Sequence, residues 1–160
     1  MARTKRIDDA AFGAIYGSIT VLGILAATDP ETLNAFVTAG TLFTSLLAVS
    51  LAKAYADLAS MVLETARQAS IEMVRTAWAH GRTTLIAVNL PTLSMLLGAL
   101  GIYSDEIALW LAQFFAIALL VYYGARIGYR LLGTVFSTCV GGAFTGAIGL
   151  ALSLLKNVFH

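Results

Sequence analysis

The 160-residue chain is 59% hydrophobic and only 12% charged, with a mean hydropathy of +0.83, more apolar surface than a water-soluble domain of this length can hide. Its formal net charge is +1, and its basic residues come in short groups between apolar runs, which excludes the continuous basic patch of a nucleic-acid binder. Cys139 is the only cysteine and lies in an apolar segment, so neither an internal disulfide nor a cysteine-pair metal site is available, and it reads as a small packing residue.

In chain order, five apolar segments, roughly 11–28, 33–62, 83–101, 107–125 and 132–155, predict an all-α polytopic membrane protein of about five transmembrane helices, forming one domain over 1–160. The start resembles a secretory signal, with Arg3, Lys5 and Arg6 ahead of an apolar stretch. Asp8 and Asp9 intervene, however, and Leu25-Ala26-Ala27 is a poor cleavage site, so a retained first helix is expected. After it, Asp29 and Pro30 suggest a tight hairpin in which Asp29 caps the second helix and Pro30 takes its first position.

Neither Gly nor Pro occurs between Thr41 and His80, so the second helix can run on past the membrane at about 1.5 Å per residue. Alternatively, 64–80 forms an interfacial amphipathic helix, with Ile71, Val74 and Trp78 set against Glu64, Arg67, Gln68, Glu72 and Arg75. In the third segment Pro91 removes a backbone donor close to Asn89, and a kink is expected there.

The basic residues sort by side. Arg3, Lys5 and Arg6, then Arg67, Arg75 and Arg82, then Arg126 and Arg130 fall on alternate connectors, while the other two carry Asp29, Glu31, Asp105 and Glu106. The positive-inside rule then sets the N-terminus in the cytoplasm and the Lys156–His160 tail outside, in what is expected to be a bacterial inner membrane. A four-crossing arrangement would break this alternation.

Small residues recur at intervals of four in the last segment, at Gly133, Ser137, Gly141, Thr145 and Gly149, and Gly13 and Gly17 repeat the spacing in the first. Such faces serve close helix packing, within a subunit or in a homodimer or higher homo-oligomer, with a pore-lining face as the alternative. Lys53 and Asp57 lie four apart on the second helix and are the only charges well inside an apolar segment, either as a functional site or as a structural ion pair. Tyr16, Ser18, Thr20, Ser60 and Asn89 add polar groups to a candidate transport path, although each one singly suits a helix-to-helix hydrogen bond. His80 reads as an interfacial histidine. With no histidine pair, nucleophile elbow, phosphate loop or zinc spacing, the residues suggest no enzyme, no bound metal and no cofactor.

The stretch from Asp9 to Gly17, reading DAAFGAIYG, resembles the first-helix motif of the vacuolar iron transporter family. Ser50-Leu51-Ala52-Lys53-Ala54-Tyr55 resembles its second-helix run, and Gly124-Ala125-Arg126 with the glycine-rich last helix resembles its C-terminal end. The resemblance implies five helices, a second helix reaching into the cytoplasm, and a dimer. The family's metal ligands do not carry over. Where it has an aspartate before the first-helix glycine and a methionine and a glutamate on the second helix, this chain has Tyr16, Leu51 and no acid beside Tyr55, and its short 64–82 connector has no counterpart of the acidic metal-binding insertion. The expected function is a small transporter or channel for an ion or solute that is not a strong divalent-metal binder, and the alternative is a non-transporting scaffold or partner subunit. In either case the lipid bilayer is a partner and nucleic acid is not.

Overall fold

The computed structural model describes the backbone of residues 2–29, 32–65 and 68–159, and their side chains except at 2–10, 86 and 155–159. All regular elements among the described residues are helices: α1 (Ala2–Ala26), α2 (Ala35–Thr65), α3 (Ile71–Gly81), a 3₁₀ turn (Arg82–Leu85), α4 (Ile86–Ala99), α5 (Asp105–Leu132) and α6 (Val135–Phe159). Three of them, α2, α5 and the 135–154 part of α6, are long and apolar enough to cross a bilayer, while Ala11–Ala26 and Ala87–Ala99 form shorter apolar helices. The apolar windows of the three long helices are only 22% to 39% buried within the chain. Phe36, Phe43, Trp110, Phe114, Phe136 and Phe144 all face outward. A surface this apolar marks a membrane-associated protein.

The core forms where α1, α2, α4 and α5 converge, around Leu22, Leu25, Leu42, Leu46, Val88, Met95 and Leu120. On α2 the buried positions are Ala35, Thr38, Ala39, Leu42, Leu46 and Ser50, a stripe at helical period. Alanine carries much of the α5 side of the core, at Ala108, Ala112 and Ala116, so backbones approach closely where dispersion and hydrogen bonds must replace a hydrophobic drive.

Polar contacts fix the registers. The backbone N–H of Ala35 at the start of α2 donates to Asp105 Oδ2 at the start of α5 (3.1 Å), pinning two long helices at one end. Tyr103 OH donates to the Ser94 carbonyl (2.7 Å), Ser94 Oγ donates to the Ala108 carbonyl (3.2 Å), and Ser153 Oγ donates to Gln113 Oε1 (3.2 Å). Helix α4 ends on Gly101, at φ 76°, whose N–H bonds Gly98 O while that of Ile102 bonds Leu97 O, the paired pattern that satisfies a helix's last carbonyls.

Several sequence expectations need correction. Helix α2 begins at Ala35 behind Asn34, whose Oδ1 accepts from Val37 N–H (3.1 Å), so Asp29 is not its cap. Asp29 instead accepts from Thr32 Oγ1 (3.5 Å), and Pro30 and Glu31 lie outside the described residues, as does Arg67. The second helix ends at Thr65, and 71–81 is a separate helix capped by Ser70, whose Oγ accepts from Met73 N–H (3.2 Å). A separate helix follows α2, as in the amphipathic alternative but over a shorter span: Ile71, Val74 and Trp78 are exposed, and Ala77 and Gly81 are buried.

Helix α5 runs to Leu132 and takes Arg126 and Arg130 out of the connector, because nothing stops it until Gly133 closes it at φ 66°. Gly133 is therefore a helix cap and no part of the α6 packing face. Pro91 sits fully buried inside α4, which continues through it even though the Ala87 carbonyl loses its usual donor.

Candidate functional site

The remaining glycine stripes meet helices of the same chain. A Cβ on Gly124 of α5 would strike the Thr145 side chain and the Gly141 carbonyl of α6, one on Gly128 would strike the Ser137 carbonyl, and one on Gly141 would strike the Gly124 carbonyl. Thr145 Oγ1 then donates across to the Leu120 carbonyl at 2.9 Å. On α1, Gly13 abuts Thr83 and Gly17 abuts Thr84 and Ala87, so the first helix is pressed against the 3₁₀ turn and the start of α4. Gly149 packs against Leu120, Ile117 and Leu22 side chains. These faces act in intramolecular packing.

The charges of α2 are placed by length. With Ala35 held to Asp105 at one end, Lys53 lies eighteen residues on, about 27 Å along the axis, and Asp57 about 33 Å. On α5 the same measure puts Arg126 about 31 Å from Asp105. Those lengths are close to the thickness of a hydrocarbon layer, about 30 Å, so if Ala35 and Asp105 mark one boundary these charges come near the other.

Lys53 and Asp57 do not pair with each other. The Lys53 ammonium lies 4.6 Å from the centroid of the Phe12 ring, which stacks on Tyr16, and Asp57 Oδ2 lies 3.4 Å from His80 Nδ1 at the end of α3. The i to i+4 spacing puts two residues on one helix face, but facing elements compete for them, and α1 supplies an aromatic face and α3 an imidazole. Asp57 and His80 are about one third exposed, as suits an interfacial position.

The predicted path residues separate. Tyr16, Ser60 and Asn89 are exposed, Thr20 Oγ1 donates to the Tyr16 carbonyl (2.9 Å), and Ser60 Oγ donates to the Asp57 carbonyl (2.9 Å). Ser18 alone of the group is fully buried, and its Oγ has no hydrogen-bond partner.

The helix interruption at Arg82–Leu85 packs between α1 and α2 and adds Thr84, likewise fully buried with an unpartnered Oγ1. Gly81 just before it touches the carbonyl of Ser50, another fully buried hydroxyl residue, whose Oγ donates to Leu46 O (2.7 Å). Buried hydroxyl residues thus occur on each of the three elements that meet here: Ser18 on α1, Ser50 on α2 and Thr84 in the turn. Ser18 is about 10 Å deeper than Ala11. His80, Thr84 and Ser50 were not singled out as path residues from the sequence, although Thr83-Thr84 opens an apolar segment with two adjacent hydroxyls, which was the available signal.

Among the described residues no group of three or more His, Cys, Asp or Glu side chains is placed to hold a metal ion. Comparison with protein families, with curated proteins and with solved structures finds no match to this chain.

Proposed function

We propose that the chain is a small integral membrane transporter or channel for an ion or small solute, similar in plan to the vacuolar iron transporters but without strong divalent-metal binding. Five crossings are part of this reading. Helix α4 rises about 21 Å and the 3₁₀ turn adds about 8 Å, which together approach the hydrocarbon thickness. The basic residues near the Lys53 end of the bundle put that end and the N-terminus in the cytoplasm. Single-cysteine labelling in a Cys139→Ser background tests this, and labelling of positions 29 and 105 from the cytoplasmic side would reject it.

The observation that carries the transport reading is that, of three buried, unpartnered hydroxyls, Ser18, Thr84 and Thr92, one lies in a helix interruption and another on the α1 helix packed against it. Each orphaned hydroxyl costs about 1–3 kcal/mol, and Ala and Val would fill these positions without that cost. Interrupted helices at membrane depth, with polar groups aimed inward, are where transported species are held. The Lys53 ammonium, one turn along α2 from buried Ser50, disfavours divalent cations. In proteoliposomes, Ser18→Ala with Thr84→Val should cut flux of the transported ion at least tenfold while the protein stays folded. Wild-type vesicles impermeable to monovalent cations, protons, anions and small neutral solutes alike would reject transport.

A scaffold or partner subunit is favoured by one specific observation: Lys53 and Asp57 each have a partner, Phe12 and His80, that ties helices together. The flux assay separates the two readings. We also propose a homo-oligomer, a dimer or larger. Leu63 and Ile71, 81% and 90% exposed, lie on the α2–α3 hairpin, and Leu63 is about 42 Å along α2 from Ala35, beyond the hydrocarbon, where a second copy rather than lipid would cover it. A protein monomeric by light scattering in several mild detergents would contradict this.

A further inference from the structure

Between α1 and α5 an open cleft of about 470 Å³ is lined by Phe12, Ile15 and Tyr16 on one side and by Ile127, Arg130 and Leu131 on the other. We infer that this cleft is a binding site for one anionic phospholipid, its acyl chain between the helices and its phosphate at Arg130. The inference rests on the membrane reading alone and stands whether or not the chain transports anything.

Three observations select this occupant. First, the cleft lies at the right height: α1 becomes apolar at Ala11, so Ile15 and Tyr16 reach inward, while Arg130, about 37 Å along α5 from Asp105, falls at headgroup level beyond a hydrocarbon layer of about 30 Å. Second, among the described residues its lining carries a single charge, Arg130. Arg130 has another contact within the chain, but a guanidinium presents five donors and can serve a phosphate as well. Third, the Phe12 ring that walls the cleft lies under the Lys53 ammonium, which adds a second positive charge beside the rim. A neutral phosphocholine headgroup would bring its own cation into this field, whereas a phosphatidylglycerol headgroup brings only the negative charge. Exposed Tyr16 and Tyr129, near the same boundary, suit the amphipathic belt where headgroups sit.

The test is native mass spectrometry of protein released from nanodiscs made with equal amounts of phosphatidylglycerol and phosphatidylcholine. Wild type should retain phosphatidylglycerol about fivefold over phosphatidylcholine, the factor expected for one basic residue near an anionic surface. Arg130→Gln should bring the two close to parity and Arg130→Lys should keep most of the preference. Ile127→Trp, which fills the cleft and leaves Arg130 in place, should lower retention of both lipids. Parity in wild type, an unchanged preference in folded Arg130→Gln, or full phosphatidylglycerol retention in Ile127→Trp would overturn the assignment. So would efficient disulfide cross-linking between two copies through Leu131→Cys in a Cys139→Ser background, because a second copy would then occupy the cleft.

Discussion

Replacing Gly141 by alanine should loosen the α5–α6 pair more than a single methyl would in an ordinary core. The added Cβ would meet the Gly124 carbonyl oxygen, the Gly128 Cα at 3.0 Å and the Gly124 carbonyl carbon at 3.2 Å. All three are backbone atoms of the neighbouring helix, so no side chain can rotate away and the helices must separate. Separation would also stretch the Thr145 hydrogen bond to Leu120 (2.9 Å). Overpacking of this kind costs about 1–3 kcal/mol, which at roughly 2–4 °C per kcal/mol for a chain of this size lowers the melting midpoint by about 2–12 °C. Gly23→Ala and Gly40→Ala provide the controls. A Cβ at either position meets nothing within 4 Å, and the gain in helix propensity makes each neutral or stabilising by up to about 1 kcal/mol. Thermal unfolding of the three variants in one mild detergent, followed by circular dichroism, compares them directly. A Gly141→Ala midpoint equal to or above those of the controls would refute the close α5–α6 contact.

The Asp57–His80 contact should appear in a double-mutant cycle of Asp57→Asn and His80→Gln as a coupling of no more than about 1 kcal/mol, because both groups are partly exposed and screened. The same cycle between Lys53 and Asp57 should give a coupling near zero, and a larger value there would restore the pairing expected from spacing alone. Thr145→Val, which removes the hydroxyl bonded to Leu120, should cost about 0.6–1.7 kcal/mol in the same unfolding assay. Asp105→Ala should cost about 0.5–2 kcal/mol by leaving the Ala35 N–H without its carboxylate, and the loss should be smaller in Asp105→Asn, which keeps an acceptor oxygen.

The apolar segments were legible in the sequence because hydrocarbon imposes length and composition directly. Their ends were less so, and the physical reason differs from case to case. Helix α5 overran its expected end because Arg126 and Arg130 read as connector charges, whereas long basic side chains can remain helical and reach the interface. Gly133 fell into the four-residue spacing of the next helix by coincidence, and only its left-handed backbone reveals it as a stop. The break between α2 and α3 left no Gly or Pro to mark it, and Ser70 gave the one local sign. The glycine stripes were recognised as packing faces, but which surface each one meets is a tertiary fact that spacing does not contain.

The charged residues show the same limit more sharply. Depth in an apolar run suggested that Lys53 and Asp57 share a costly interior site, yet depth depends on where the helix starts, and the Asp105 contact starts it at Ala35. On the five-crossing reading that register puts both charges near the boundary, where the full midplane penalty of about 2.5–3.5 kcal/mol would not apply. Their mutual pairing then loses its energetic reason, and each takes a partner from the helix it faces, Phe12 on α1 and His80 on α3. The cost that still needs a reason lies with Ser18 on α1, Thr84 within the helix interruption and Thr92 on α4, whose hydroxyls are buried and unpartnered. Single replacements should separate the two layers: Lys53→Gln should change the salt dependence of any flux, whereas Ser18→Ala should change its rate at every salt concentration. Equal salt dependence in wild type and Lys53→Gln would remove Lys53 from the entrance, and an undiminished rate in folded Ser18→Ala would remove the buried hydroxyl from the path.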